Sequence, residues 1–363
     1  MESGKQRSNL KRMRFRILLA FLLGISVPHL AKAQDPNFSQ FYAAPLYLNP
    51  ALAGAEKDAA FSAVYRSQWR SLGFPQQIGQ FSGIIPLHSR RQPLMQQGGI
   101  GFAVYSDAAG EGNNFRTTGV QAGAAYNLPL TGDFAQVLSF GMQVGLIQKS
   151  IDFDALRWGS QYEPMRPYFG FNPAITPSLI QDNGLKDRVL YPVIHSGIVW
   201  HFNPASSLFS RPFSGFVGFS ASNMNRPNES LIREGGSRLP VLWRLQGGLA
   251  CEITQKIGLL PNLLWMRQNG LDQINVGTYV SYKLTDAATR SAAQAMLGGW
   301  YRVNDSFAMA AALTNAKYTL GFSYDINTSS LRYATHGRGA WEVSLTRRIT
   351  KNNTARRFAT PLI

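Results

Sequence analysis

A period of two runs through this chain almost from end to end, and it leaves few folds open. In 138–146, LSFGMQVGL, the residues Leu138, Phe140, Met142, Val144 and Leu146 fall on one side of an extended chain, and Ser139, Gly141, Gln143 and Gly145 on the other. The second face is small and polar rather than charged, which suits a crowded, watered lumen better than the wet face of a soluble sheet. The same alternation sets Phe61, Ala63, Tyr65 and Trp69 against Ser62, Val64, Arg66 and Gln68, and Leu320, Phe322, Tyr324 and Ile326 against Gly321, Ser323 and Asp325. Fourteen strands are predicted: 59–69, 77–86, 97–106, 116–128, 136–148, 190–201, 213–222, 240–253, 257–267, 273–284, 294–302, 306–313, 317–326 and 341–349. Many approach the ten or so residues that a tilted membrane strand needs, and the count is even. No helical block separates them, which argues against a parallel α/β sheet. The expected fold is all-β, a transmembrane antiparallel β-barrel of about 14 strands. Closure follows because an open sheet edge in lipid leaves backbone groups unpaired at several kcal/mol each.

Ahead of the strands stands an export signal. Lys5, Arg7, Lys11, Arg12, Arg14 and Arg16 precede an apolar run at 17–27, too short for a spanning helix, and Ala31-Lys32-Ala33 supplies a small-x-small cleavage pattern. Cleavage is placed before Gln34, so 1–33 is a signal peptide, 34–56 an irregular periplasmic segment, 57–350 the barrel and 351–363 a tail. Removing 1–33 leaves 29 Lys+Arg against 19 Asp+Glu, a balance of +10. For an exported chain this favours anionic lipid or an acidic partner over nucleic acid. Cys251 is the one cysteine, so no internal disulfide staples the fold.

If strand 1 runs outward from the periplasm, the longest gaps, near 149–189, 223–239 and 327–340, lie outside the cell, and the short turns near 254–256 and 314–316 inside. Trp69, Trp200, Trp243, Trp265 and Trp341 fall near strand ends, where an interfacial girdle belongs. On the same phase, Met142→Arg is expected to be costly at the bilayer midplane and Gln143→Arg much less so.

No catalytic, cofactor or metal constellation emerges. His195 and His201 share a strand face but lie too far apart for one ion, and read as lumenal or interfacial polar groups. Asp152 and Asp154 read as solvated loop carboxylates, and His88, Arg90 and Arg91 as a basic periplasmic turn. GGIG at 98–101 lacks the Lys-Ser/Thr and helix of a phosphate loop, and reads as strand glycines facing a tight lumen.

The stretch 34–54, QDPNFSQFYAAPLYLNPALAG, fits neither period. Pro36, Pro45 and Pro50 lack the donors that a barrel strand must supply, and Asn49-Pro50 reads as a turn or helix start. Its apolar side chains need burial. The expectation is that it folds into the periplasmic mouth, narrowing the lumen or presenting a docking surface, with Phe38, Phe41, Tyr42, Leu46, Tyr47, Asn49 and Pro50 as the partner-binding candidates.

Four stretches together resemble the PorP/SprF family of type IX secretion and gliding-motility membrane proteins: 34–54; AVYRSQW at 63–69; LLPNLLWMRQNGLDQINVG at 259–277; and GFSYDINTSSL at 321–331. GAWEVSL at 339–345 departs from the pattern, with Trp341 where a His is expected before the Glu, and 154–188 is long. The resemblance implies a non-enzymatic outer-membrane component of type IX export. Its implied partners are outer-membrane lipid, periplasmic and outer-membrane parts of the machinery, and cargo such as adhesins, without nucleic acid. An outer-membrane porin or specific uptake channel is the main alternative. A soluble β-sandwich adhesin and a barrel hydrolase are the others.

Overall fold

Each alternating segment is a strand, and each strand is antiparallel to both neighbours. In a computed structural model of the protein, which describes residues 38–88, 96–153, 156–163, 170–171, 184–203, 213–284 and 293–349, fourteen strands close into one barrel. They are β1 (Ala59–Gln68), β2 (Gln76–His88), β3 (Gln96–Ala109), β4 (Phe115–Pro129), β5 (Gln136–Ile151), β6 (Arg188–Phe202) and β7 (Phe213–Ser222). The second half comprises β8 (Leu242–Glu252), β9 (Ile257–Gln268), β10 (Leu271–Lys283), β11 (Gln294–Arg302), β12 (Ser306–Thr314), β13 (Tyr318–Asn327) and β14 (Arg338–Ile349). The first and last strands meet in register from Ala59↔Ile349 to Gln68↔Ala340, so neither keeps a free edge. The signal peptide, the tail, Arg90, Arg91 and Asp154 lie outside the described residues.

The wall is inside out relative to a soluble protein. Phe140, Met142, Val144 and Leu146 are all exposed on the outer face of β5, while Ser139, Gly141 and Gln143 between them are buried. Phe102, Val104, Val120, Leu245, Val276, Phe322 and Leu345 also face outward. An apolar belt of this extent is stable only against hydrocarbon. Met142, 56% exposed near the middle of β5, gives a direct check. Met142→Arg is expected to cost about 2–4 kcal/mol in a refolding titration into lipid vesicles. Gln143→Arg does not serve as the cheap contrast expected from the sequence. Gln143 is 2% exposed, its neighbourhood is filled with protein, and a guanidinium there has no water to reach.

Connections divide by parity. The end of the barrel that carries the links from odd to even strands (the loop end) holds the long excursions at 152–187, 223–241 and 328–337. It also holds two tight hairpins. Asn269 and Gly270, both at positive φ, join β9 to β10 as the right-twisted hairpin requires, and Asn304 at φ 60° sits in the β11–β12 turn. The opposite (turn) end includes the short links 253–256 and 315–317. Long and short links are thus sorted in the expected direction, though not uniformly. Two long links also fasten to each other, Leu185 bridging Ile232 and Lys186 N–H donating to Leu231 O at 2.7 Å, and Lys149 near the end of β5 pairs with Glu229 of the second link.

The tryptophans gather at one rim. Trp69, Trp243, Trp265 and Trp341 lie at the loop end, with Trp341 against Tyr65 at 5.4 Å, and Trp200 stands at the turn end. His195 and His201 both point inward and are buried.

Candidate functional site: a segment seated in the barrel lumen

What fills the barrel is the stretch without a period. Residues 41–54 fold as three short helical turns, Phe41–Ala43, Pro45–Leu48 and Pro50–Gly54. Two prolines begin turns, where their missing N–H costs nothing. Asn49 caps the third, its side-chain oxygen accepting from Ala51 N–H at 2.9 Å. The amide end of the same side chain donates to the carbonyls of Ile198 (3.2 Å) and Phe219 (3.1 Å) on β6 and β7. One asparagine therefore both starts the turn and pins it to the wall.

The segment touches the wall on opposite sides, which places it inside. Phe38, Phe41, Tyr42, Leu48, Leu52 and Ala55 share one apolar cluster with inward residues of many strands, among them Val64, Phe216, Leu264 and Trp300. Tyr42 packs on Trp300 (5.8 Å) and hydrogen-bonds Tyr279. Near the turn end, Asn127 Nδ2 donates to Gly54 O at 2.8 Å, and Gln96 donates to Glu56 O. The small inner face read as a watered lumen is in fact a bed for this backbone. A Cβ added to Gly99 would stand 1.9 Å from Ala53 O, one on Gly141 2.2 Å from Ala51 N, and one on Gly197 2.0 Å from Asn49 Oδ1. These glycines are required by close approach rather than by dihedral freedom.

A charged network holds the other end of the segment, in the loop-end half of the barrel. Glu342 on β14, fully buried, accepts from two successive backbone amides: Ser39 N–H to Oε2 at 3.0 Å and Gln40 N–H to Oε1 at 2.7 Å. Arg66 on β1 spans both carboxylates, 3.2 Å from Glu342 and 2.8 Å from Asp325 on β13. Ser39 Oγ donates to Asp325 at 2.7 Å and accepts from Arg66 (2.7 Å) and from Arg302 of β11 (3.2 Å). Gln40 donates to Glu342 O and Ser323 Oγ and accepts from Ser344 Oγ, so every polar atom of its side chain is used. Each buried charge has an opposite partner, Arg66 between Glu342 and Asp325 and Arg302 between Asp325 (3.9 Å) and Asp305 (3.0 Å), the condition for burying charge at tolerable cost. Tyr47 is clamped separately, under the Arg244 guanidinium at 4.5 Å.

Of the seven candidate residues, Phe38, Phe41, Tyr42, Leu46, Asn49 and Pro50 are buried and Tyr47 is half-buried. The structure brings all seven together, but against the barrel's own wall. A partner reading them would have to displace the segment. Contacts reach well beyond the turn-end mouth, as far as Arg66, two residues from the loop end of β1.

The sequence profile of the family described as Type IX secretion system membrane protein PorP/SprF matches residues 30–346. This chain is a PorP/SprF protein. No curated protein matches it. Among solved structures it is similar to the CymD monoaromatic hydrocarbon channel, with 11% identity, 85% of this chain and 93% of that chain covered, and TM-score 0.43. It is also similar to a Pseudomonas aeruginosa FadL homologue, with 9% identity, 83% and 93% covered, and TM-score 0.41. The KdgM porin in complex with disordered oligogalacturonate gives 7%, 80% and 99%, and 0.36. These likenesses are too distant to carry an argument. Fold and family point to the outer membrane.

Three of the four PorP/SprF stretches that carried the resemblance, and the one that departs from it, converge on one site: Ser39 and Gln40 come from the opening stretch, Arg66 from AVYRSQW, Asp325 from GFSYDIN, and Glu342 from the departing GAWEVSL. Only Ser39 and Gln40 lie within the segment itself, and none of the five was singled out from the sequence. The signal was present: Arg66 and Glu342 sit on inward phases of the first and last strands, and barrel closure sets them directly opposite one another. A bulkier bed should unseat this PorP/SprF segment. With Ala43→Cys as reporter in a Cys251→Ser background, Gly141→Val is expected to turn an unreactive thiol reactive toward a water-soluble maleimide, without loss of the folded barrel band.

Proposed function

We propose that this protein is a non-enzymatic outer-membrane component of type IX secretion that supports export or surface attachment of cargo proteins such as adhesins. It acts through contacts with other parts of the machinery rather than by conducting solutes. The observation that carries this reading is the occupied lumen. Inward side chains such as Ser139, Gln143, Ser220, Arg244 and Ser323 are buried, whereas the walls of a solute channel expose their polar faces to water. What remains for partners is the surface of the two barrel ends and whatever the N-terminal segment offers when it moves. Residues 34–56, with Phe38, Phe41, Tyr42, Leu46, Tyr47, Asn49 and Pro50, are proposed as one determinant of those contacts, at the periplasmic side after signal removal.

The test is a pull-down after mild detergent extraction, with mass spectrometry of what accompanies the intact chain and a chain lacking 34–56. Components of the secretion machinery should accompany the intact protein and be reduced in the deletion. Normal co-purification and normal secretion with a folded deletion barrel would remove the segment from the account. Absence of any secretion component from the intact sample would remove the proposal.

A further inference from the structure

We propose that the two stretches flanking the β1–β14 seam at the loop end, 69–75 and 328–338, form a docking surface for the acidic face of a protein partner. This rests on the protein contacts proposed above and names the chemistry of one partner. The stretches read WRSLGFP and TSSLRYATHGR, and together hold three arginines, no lysine and no aspartate or glutamate. The 223–241 link at the same end is mixed, with Arg226, Arg233 and Arg238 set against Glu229 and Glu234.

The fold gathers the three arginines. β1 and β14 pair as far as Gln68↔Ala340, and Arg70 and Arg338 stand two residues beyond that pair, one on each side of the seam. Hydrogen bonds draw in the third: Ser71 Oγ donates to Thr335 O at 3.3 Å and Gly337 N–H to Arg332 O at 3.0 Å. The turn that carries Arg332 is thereby tied to the chain neighbours of both others. All three are exposed, and among the described residues none pairs with a carboxylate. Carboxylates of the adjoining strands and turns are engaged elsewhere. Asp305, whose backbone carbonyl accepts from Thr328 N–H, pairs with Arg302 at 3.0 Å, and Asp107 accepts from Gln76 at 2.9 Å.

The same surface is aromatic. Tyr333, 75% exposed, is the most exposed large apolar side chain among the described residues, and Phe74 is exposed too. Both stand in links beyond the strands rather than on the outer wall. The Arg332 guanidinium lies over the Tyr333 ring at 4.9 Å and donates to its hydroxyl at 3.0 Å, so the pair is ordered before a partner arrives. Arginines and aromatics without lysine are the composition of a protein interface. Three unpaired arginines set the sign of the complementary face.

The test uses the full mature chain in lipid nanodiscs with two probes, poly-L-glutamate and a glutamate–tyrosine copolymer, and dextran sulfate as the glycan rival. Both polypeptides should bind, the copolymer about fivefold more tightly, the worth of one aromatic contact. Combined Arg70→Gln, Arg332→Gln and Arg338→Gln should weaken both about tenfold, the worth of a few exposed ion pairs. The same neutralisation at Arg226, Arg233 and Arg238, also exposed at the loop end, should leave binding unchanged. Phe74→Ala with Tyr333→Ala should abolish the copolymer's advantage. All of these side chains are exposed, so each variant should fold normally by heat-modifiable migration. Equal losses from the two arginine sets, no loss from the first, or no preference for the copolymer would overturn the proposal. Tighter binding of dextran sulfate than of either polypeptide would assign the surface to an anionic glycan and overturn the protein reading. Neither polypeptide is a secretion component, so a failure of this binding is distinguishable from a failure of the pull-down above.

Discussion

Glu342→Ala is expected to destabilise the seated segment by about 3–5 kcal/mol, the usual consequence of removing one partner from a buried charge network. The loss has two parts. Arg66 is left with Asp325 as its one carboxylate partner, which Arg302 also approaches at 3.9 Å, and the buried amides of Ser39 and Gln40 lose their acceptor. The wall itself is spared, since β14 remains paired to β1 and β13 through its backbone. The Ala43→Cys reporter should therefore become reactive while the folded band persists. The neighbour Trp341, on the outward phase, provides the contrast: Trp341→Phe should leave the reporter silent. A silent reporter in Glu342→Ala would mean that the apolar cluster alone retains the segment.

Deleting 38–56 is expected to have the larger consequence for transport: the intact barrel should stay silent and the deletion should conduct. The deletion removes the bodies of Phe38, Phe41, Tyr42, Leu48 and Leu52 from the apolar cluster, and wets an inner wall that includes Arg66, Arg244, Arg302, Asp325 and Glu342. Barrel closure does not depend on the segment, because all fourteen strands are paired to one another and the outer belt still faces lipid. In planar bilayers the deletion should give steady, ohmic single-channel steps. With these five charged side chains released into water, its ion selectivity should depend on pH and salt. A deletion that folds and stays silent would show that the wall collapses inward or that the long links seal the loop end.

The strands were legible because lipid demands an apolar residue at every second position, a constraint local enough to survive without knowledge of neighbours. Leu138 to Leu146 shows both its strength and its limit. Alternation identified which side meets hydrocarbon, but it was silent about what Ser139, Gly141 and Gln143 touch. The space at Gly141 looked like room for water and was room for Pro50 and Ala51. Asn49-Pro50 was readable as a helix start, because capping is a matter of adjacent residues. The Glu342 network was not read, because its members are separated by up to 303 residues. Only ring closure, which sets Arg66 opposite Glu342, brings them to one place.

The account stands on the position of Tyr42. With a photoreactive p-azidophenylalanine replacing it in cells, illumination should give an intramolecular crosslink to the peptides carrying Tyr279 or Trp300, with the barrel at its monomer mass. Crosslinks from position 42 mainly to other proteins, with those two peptides unmodified, would contradict a segment seated in the lumen.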